Sequence, residues 1–359
     1  MKKSFNFGAG PGMLPASVKS RIKSEIDNWH QGMSVMEISH RSKKFIELAS
    51  NTTKKIRDLL KIPDKYEVLF LSGGARTQFS MLPLNLLNKS DTADYLISGF
   101  WSQWAYEDAA KLRQVNIIGN SFEEGYLSIS IPNRITSGAK YIHYTDNETI
   151  HGVEYKNIPI KTSVPLVADM TSSILSKPID VSKHAAIYAS CQKNMGIAGL
   201  TVVIIDPSCL REPDKIMPDI MRYSPFIASK SMTNTPPVFP WYVLDLMLDW
   251  LLEQGGIDSI HTRNKSRAKK LYNYIDSSHL YGNAINEENR SDMNITFHLV
   301  ESNFDDIFKT RAEKNGLYQL GGHRMIGGFR ASLYNAMPDE GVDRLIDFMR
   351  EFENDPYAK

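Results

Sequence analysis

The sequence is poor in cysteine and has no excess of either charge. Cys191 and Cys209 are the only two cysteines among 359 residues, and neither lies in zinc-like or C-x-x-C spacing. Lysine and arginine total 42 against 41 aspartates and glutamates, so no basic field is available for nucleic acid or a membrane surface. This composition argues against a disulfide scaffold, a metal site and a nucleic-acid-binding protein.

A long uncharged apolar run is also missing. The most apolar stretch, residues 241–252, is interrupted by Asp245 and Asp249, so it is too short and too charged to span a bilayer. Lys2 and Lys3 are not followed by an apolar segment, and we therefore expect no signal peptide. Together with the scarcity of cysteine, these features favour a cytoplasmic protein.

Short β-prone runs alternate with helix-length segments along most of the chain, which is typical of an α/β fold with a mostly parallel sheet covered by helices. We expect an irregular segment over residues 1–15, a large α/β domain over 16–258 and a small α+β domain over 259–359. The expected helices are 16–29, 43–60, 241–253, 260–276, 305–314 and 341–353. The expected strands are 67–71, 95–97, 115–118, 141–143, 166–168, 187–189, 201–205, 293–299 and 328–332. The proline-containing stretch 229–240 is expected to be an extended linker.

Two apolar runs end abruptly in residues that carry chemistry. Residues 164–168 lead into Asp169, and residues 185–189 are followed closely by Lys193. In a parallel sheet both side chains would emerge at the carboxyl ends of strands, where such sheets bind ligands. An amine for a Schiff base and a carboxylate for a pyridine nitrogen are what a pyridoxal phosphate enzyme requires. A solvated loop lysine and a helix-capping aspartate are the ordinary alternatives, and these two stretches alone leave them open.

Two further features fit a bound cofactor. Gly73 and Gly74 follow the expected strand 67–71 and open a helix, so backbone N–H groups beside Ala75 and Arg76 could hold a phosphate. The turn lacks the Gly-Lys-Ser/Thr ending of a P-loop and the G-x-G-x-x-G spacing of a dinucleotide site. Trp101, at the end of another strand, could stack on a flat ring. Taken singly, the glycine pair is more often just a tight turn, and the tryptophan is more often an aromatic side chain packed in the core.

Five cationic or imidazole side chains form a third group. His40 and Arg41 are adjacent, as are His323 and Arg324, and Arg330 follows a glycine pair. Arginine binds carboxylate or phosphate through two parallel hydrogen bonds, and a neighbouring histidine can add a donor. Any one of these residues could be a surface charge, but the repeated His-Arg pairing favours a polyanionic substrate.

The chain resembles the phosphoserine aminotransferases, which belong to the class V group of pyridoxal phosphate enzymes and have the aspartate-aminotransferase-like fold, fold type I. The matching segments are residues 5–7, 10–11, 13–15, 37–42, 147–150, 179–182, 192–194, 199–201, 234–237 and 327–338. The most distinctive are Asn234-Thr235-Pro236-Pro237 and the stretch from Gly327 to Pro338. The resemblance therefore runs almost from end to end.

The resemblance implies roles for particular residues. Lys193 is expected to form the Schiff base with pyridoxal 5'-phosphate, and Asp169 to face its pyridine nitrogen. The other implied cofactor contacts are Ala75, Arg76 and Gln192 at the phosphate, Trp101 on the ring and Thr149 at the ring hydroxyl. In the family, Asn234 and Thr235 reach the cofactor of the neighbouring subunit, which implies a homodimer with active sites at the subunit interface.

The resemblance also implies the substrates. Arg330 is expected to bind the α-carboxylate, and the two His-Arg pairs to receive the distal phosphate or the glutamate side-chain carboxylate. The implied reaction is reversible transamination of 3-phospho-L-serine with 2-oxoglutarate to 3-phosphooxypyruvate and L-glutamate, in serine biosynthesis. 4-Phosphohydroxy-L-threonine, in pyridoxine biosynthesis, is expected as a second substrate. Ala9 departs from the pattern, since some members carry serine there.

Other functions remain as alternatives. A related class V enzyme such as an alanine–glyoxylate aminotransferase would share most of these residues. A cysteine desulfurase fits less well, because Gln192 rather than histidine precedes the lysine and neither cysteine lies in a late loop. A catalytically silent pyridoxal-phosphate-binding module would usually be fused to a DNA-binding domain, and no basic helix-turn-helix segment is visible.

Overall fold

The computed structural model describes residues 3–132, 134–158, 160–212, 214 and 216–355. Each of the three expected regions includes a few residues outside this described part. They are residues 1–2 in the first region, 133, 159, 213 and 215 in the second, and 356–359 in the third. The helices in the described part are α1 Ala16–Glu25, α2 Lys43–Leu60, α3 Ala75–Leu86, α4 Phe100–Ala110, α5 Tyr223–Ala228, α6 Val238–Glu253, α7 Gly256–Ser277, α8 Asp305–Lys314 and α9 Asp339–Glu353.

The strands are shorter and more numerous than the helices. They are β1 Phe5–Asn6, β2 Glu67–Ser72, β3 Thr92–Ile97, β4 Gln114–Asn120, β5 Ile142–Thr145, β6 Asn147–Glu148, β7 Val153–Glu154, β8 Leu166–Asp169, β9 His184–Ser190, β10 Leu200–Ile205, β11 Tyr281–Gly282, β12 Asn294–Leu299, β13 Leu317–Tyr318 and β14 Phe329–Ser332.

Seven strands form the central sheet, in the order β2-β10-β9-β8-β5-β3-β4. β10 is antiparallel to both of its neighbours, whereas the pairs from β9 to β4 are all parallel. Every residue of β8, β9 and β10 is buried, as expected for strands that are covered on both faces. The prediction of a mostly parallel α/β sheet is confirmed.

Alternation along the strands divides the apolar side chains between two cores. In β2, Val68 and Phe70 pack with α2 and α6, whereas Leu69 and Leu71 pack with α3 and α4. Trp241 of α6 stacks on Phe70 with ring centroids 4.2 Å apart. The helices on the two faces of the sheet therefore pack against alternate side chains of the same strands.

A third core lies in the C-terminal part of the chain. It joins α7, α8 and α9 to the three-stranded sheet β11-β12-β14, and its aromatic centre is Phe308. The segment expected to be irregular contributes to it: Phe5–Asn6 pair in parallel with Leu317–Tyr318, and both Phe5 and Phe7 are buried in this core. The N-terminal residues are thus tied to the C-terminal sheet.

Some predicted boundaries were wrong. α1 ends at Glu25, four residues before residue 29. α6 begins at Val238 and includes Pro240, so the last three residues of the expected linker 229–240 are helical. Proline is tolerated in a first helical turn because its missing N–H has no partner there in any case. None of the helices in the described residues is long and apolar enough to cross a membrane.

Candidate active site

The predicted site residues gather at one edge of the central sheet. β8 ends at Asp169, and Lys193 lies in the turn that follows β9. The amino-terminal ends of α3 and α4 directly follow β2 and β3 at the same edge. This is the carboxyl edge of the parallel strands, where α/β sheets bind ligands.

The Lys193 amine is held by the segment between β6 and β7. Its Nζ donates a hydrogen bond of 2.6 Å to Oγ1 of Thr149 and lies 5.9 Å from the ring centroid of Trp101. Nη1 of Arg330 donates to the carbonyl oxygen of Thr149 at 3.2 Å. Thr149 therefore links the amine to the buried arginine.

Burial changes the chemistry of this amine. Lys193 is 7% exposed, and desolvation lowers its pKa to about 8, with the charge of Arg330 acting in the same direction. The negative charges of Asp169 and Glu148 partly oppose this shift. At pH 7 about a tenth of the amine is then neutral, which is far more than for an exposed lysine. The amine is accordingly suited to act as a nucleophile or a base.

Asp169 is a buried carboxylate beside this amine. Its Oδ1 accepts a hydrogen bond of 2.9 Å from the N–H of Thr171. Burial raises the pKa of Asp169, while the hydrogen bonds from Thr171 and Tyr188 and the charge of Lys193 oppose the rise. The carboxylate is thus buried, and the donors around it favour its charged form.

Trp101 is positioned by a residue that the sequence reasoning missed. Glu148 accepts hydrogen bonds from the backbone N–H groups of Trp101 and Ser102, at 3.1 and 2.8 Å, and from the Ser102 hydroxyl at 2.6 Å. Burial raises the pKa of Glu148 to about 7. The indole Nε1 of Trp101 is buried without a hydrogen-bond partner in the described part of the chain. Glu148 holds the start of α4, and with it this indole, in place.

The turn before α3 has the features expected of an anion site. Gly73 has a φ of 107°, a conformation that favours glycine. Gly74 precedes α3, and no side chain caps the first turn of this helix. The backbone N–H groups of that turn therefore remain available to a phosphate. The Arg76 side chain is directed elsewhere: it is exposed, with Nε 3.7 Å from Asp108. Gln192 accepts a hydrogen bond from the Ser190 hydroxyl.

These groups fit pyridoxal phosphate. A buried amine suits its aldehyde, a buried carboxylate its pyridine nitrogen and an uncapped helix start its phosphate. The unpartnered Nε1 of Trp101 and Nε of Arg330 are buried polar atoms of the kind that a bound ligand satisfies. No cluster of His, Cys, Asp and Glu among the described residues could hold a metal ion.

A cavity of about 460 Å³ lies beside Arg330. His323 and Arg330 line it, together with aromatic residues such as Phe100 and Tyr126. Burial lowers the pKa of His323, and the charges of Arg330 and Arg324 lower it further. His151 also lines the cavity, with ring centroids 4.7 Å from Phe100 and 4.6 Å from Tyr126. No sequence signal pointed to His151.

Four other predicted residues lie outside the group that hydrogen-bonds around the amine. His40, Arg41, Asn234 and Thr235 share no hydrogen bond or ion pair with Lys193 in the described residues. Nε2 of His40 is buried without a partner there, whereas Arg41 and Thr235 are exposed and Asn234 is half-buried. The carbonyl oxygen of Ala9 accepts a hydrogen bond of 2.5 Å from the hydroxyl of Tyr334.

Comparison with known proteins places this geometry in a family. The aminotransferase class-V model matches residues 4–345. The chain is 46% identical over 355 residues to phosphoserine aminotransferase from Acinetobacter baylyi, which covers 98% of each chain. The solved phosphoserine aminotransferase from Bacillus circulans subsp. alkalophilus is 38% identical, with a TM-score of 0.94 and 98% of both chains covered.

A cofactor-bound structure matches as well. The phosphoserine aminotransferase from Trichomonas vaginalis, solved with pyridoxal phosphate, is 36% identical, with a TM-score of 0.90 over 97% of this chain and 100% of that chain. An alanine–glyoxylate aminotransferase from Nostoc is only 15% identical, with a TM-score of 0.73 over 98% of this chain and 95% of that chain, and shares the fold alone. The chain therefore belongs to the phosphoserine aminotransferase family of class V, pyridoxal-phosphate-dependent enzymes.

Proposed function

We propose that this chain catalyses reversible amino transfer between 3-phospho-L-serine and 2-oxoglutarate, giving 3-phosphooxypyruvate and L-glutamate for serine biosynthesis. The name of its relatives supports this substrate. The observation that carries the proposal is the buried Lys193 amine, which lies 2.6 Å from Thr149 in a site that also contains Arg330. 4-Phosphohydroxy-L-threonine is proposed as a second substrate.

Lys193 attaches the cofactor and then moves a proton. Bound pyridoxal phosphate withdraws electrons from the substrate carbon that carries the amino group. With the cofactor bound and its own amine free, Lys193 would take the proton from that carbon and deliver it to the carbon that was the cofactor's aldehyde. Its lowered pKa keeps part of the amine unprotonated near neutral pH, and its low exposure keeps water from competing for the proton.

The remaining cofactor residues bind and orient. Asp169 would place a negative charge at the ring nitrogen, and Trp101 would cover the ring. Thr149 would hydrogen-bond the ring hydroxyl through the same oxygen that accepts from Lys193 here. The proposed phosphate contacts are the backbone at Ala75 and Arg76 and the side chain of Gln192.

Arg330 is proposed as the clamp for the α-carboxylate. Among the described residues, Arg330 donates a hydrogen bond through Nη1 alone, and its buried Nε has no partner there. Arg330 therefore retains donors for a substrate. His323 and Arg324 are proposed to receive the distal phosphate. A site that pairs a dianion leaves its cations unsatisfied when an uncharged side chain enters, which disfavours alanine as a substrate.

Residues of the neighbouring subunit are proposed to complete each site. His40, Arg41, Asn234 and Thr235 would act there; the family resemblance implies this for Asn234 and Thr235, and none of the four hydrogen-bonds Lys193 within the described part of its own chain. Met33 and Met36, which precede His40 in the chain, are 40% and 57% exposed, so their side chains are free to contact a partner subunit. Mixing Lys193→Ala chains with Arg41→Ala chains should restore activity, since each hybrid dimer contains one intact site. Lack of restoration in a verified hybrid would contradict a shared site.

We also propose the large domain at residues 16–258, the small domain at 259–359 and the segment 1–15 as separate regions, in a cytoplasmic protein. Two features cross this division: α7 contributes side chains to the core with α6 and to the core with the C-terminal sheet, and Phe5 and Phe7 of the segment 1–15 are buried in the C-terminal core.

The substrate proposal is tested by comparing amino donors. With 2-oxoglutarate as acceptor, glutamate formation from phosphoserine should exceed that from alanine by about 100-fold or more in kcat/KM, since a phosphate-specific site gains several charged hydrogen bonds. Faster turnover of alanine with glyoxylate would favour the alternative transaminase. Bound cofactor without turnover of either donor would indicate the silent module.

A further inference from the structure

Two buried residues lie behind Asp169 on the neighbouring strands. Tyr188 of β9 is the direct register partner of Asp169, and His143 of β5 pairs with Val167, two residues before Asp169. The three side chains consequently project from the same face of the sheet. The Tyr188 hydroxyl lies 3.0 Å from Nε2 of His143, and Tyr188 also lies near enough to the Asp169 carboxylate to lower its pKa. Both Tyr188 and His143 are almost completely buried.

The protonation of His143 determines the direction of these hydrogen bonds. Burial lowers the pKa of His143 to about 3, so the ring is neutral and carries a single N–H. Its Nδ1 is buried and has no hydrogen-bond partner in the described part of the chain. Buried N–H groups without an acceptor are rarer than unsatisfied acceptors. The proton therefore belongs on Nε2, which donates to the Tyr188 oxygen.

Packing holds the imidazole in this arrangement. The His143 ring stacks on Tyr95 with centroids 4.7 Å apart and an interplanar angle of 21°. The Tyr95 hydroxyl is engaged separately, 3.0 Å from the hydroxyl of Tyr141. With His143 donating to the Tyr188 oxygen, the Tyr188 hydrogen remains free for the carboxylate.

We propose that His143 and Tyr188 are positioning residues that form a directed donor chain, from His143 Nε2–H to the Tyr188 oxygen and from Tyr188 O–H to Asp169. The chain keeps Asp169 negatively charged and fixed in the position that faces the cofactor ring nitrogen. This inference rests on the role of Asp169 given under Proposed function. It assigns a task to two residues that contact neither the amine nor the substrate.

The donor chain answers a physical need. Asp169 has lost its solvation, and burial by itself favours the neutral acid. A neutral Asp169 could not balance the charge of a protonated ring nitrogen. Thr171 supplies one donor, and the proposed chain adds the Tyr188 hydroxyl as another. Hydrogen bonds to a charged group are stronger than those between neutral groups, and a preceding donor polarises the next one.

Three variants test the chain. Tyr188→Phe removes only the hydroxyl, and we expect kcat to fall about 10-fold or more with little change in KM, as for loss of a hydrogen bond to a charged group. His143→Leu should lower kcat in the same direction, and adding it to Tyr188→Phe should cause no further loss, because His143 acts through Tyr188. His143→Gln retains an N–H donor and should restore most of the activity.

Tyr95→Phe is the matched control. It removes a buried hydroxyl from the same aromatic stack, but one that is bonded to Tyr141 and not directed at Asp169. Its kcat should equal that of the parent after correction for cofactor content. A loss in Tyr95→Phe as large as in Tyr188→Phe would show that the effect is one of packing, and the donor chain would be rejected.

A measurement on the unmutated holoenzyme tests the direction of the chain independently of folding in any variant. Nitrogen-15 spectra of histidine-labelled protein, assigned with His143→Gln, should show a neutral ring protonated on Nε2. A proton on Nδ1 would overturn the proposal. Asp169→Asn distinguishes failure of the proposed role of Asp169 from failure of the donor chain. If this variant turns over like the parent, the role of Asp169 itself is wrong. If it is impaired while Tyr188→Phe is not, only the donor chain fails.

Discussion

Replacing the active-site lysine by methionine should stabilise the cofactor-free protein while removing its activity. Lys193 is buried, and its pKa is about 8 instead of its usual 10.5. At about 1.36 kcal/mol per pKa unit, this difference corresponds to about 3 kcal/mol of destabilisation at pH 7. Methionine is similar in length and shape but carries no charge. Loss of the hydrogen bond to Thr149 opposes the gain by about 1 kcal/mol, which leaves about 2 kcal/mol.

The pH dependence provides the sharper test. Between pH 8 and 10.5 the unfolded chain still holds the lysine proton that the folded chain has lost, so the parent gains stability as pH rises. Lys193→Met has no such group, and its advantage should be constant below pH 7, shrink above pH 8 and vanish or reverse near pH 10.5.

Urea unfolding of the cofactor-free parent and variant at equal protomer concentration measures this difference at each pH. Lys269→Met, an exposed substitution in α7, is the control and should change the free energy of unfolding by less than about 0.5 kcal/mol. If the difference between the parent and Lys193→Met is the same at pH 7 and pH 10, the lysine is not desolvated as the structure indicates.

Three further substitutions test the proposed roles. Lys193→Ala should abolish transamination and the absorbance of covalently attached cofactor, and a yellow, active variant would contradict the assignment. Arg330→Ala should lower kcat/KM for both glutamate and phosphoserine by about 10- to 100-fold, as expected for loss of a charged carboxylate contact; unchanged kinetics with both substrates would exclude it as the clamp. Asp169→Asn should retain cofactor but turn over more slowly, which single-turnover absorbance measurements can follow; equal rates would count against its role.

The sequence predicted those parts of the site that depend on local pattern. Asp169 and Lys193 each follow a buried β-prone run, and side chains at those positions emerge at the carboxyl edge whatever the details of packing. The sequence did not predict that β10 runs antiparallel to both neighbours, because an apolar run has no direction until its pairing is known. Nor did it predict that the Arg76 side chain pairs with Asp108 instead of contributing to the anion site at the start of α3.

The residues that were missed depend on partners far away in the chain. Glu148 binds the start of α4, 46 residues earlier, and Tyr188 lies 45 residues from His143. Such contacts cannot be read from local periodicity or spacing, because the residues of one segment do not indicate which strand or helix will lie beside it.

By itself, the sequence determined the fold class, the edge of the sheet where chemistry occurs and, through the family resemblance, the cofactor. Only the tertiary structure decided how strongly the amine is desolvated, which donors surround the Asp169 carboxylate and which carboxylate pairs with Arg76. The reason is physical: hydrophobic pattern specifies which strands and helices form, whereas pKa values and hydrogen-bond direction arise from burial among groups that meet only after the chain has folded.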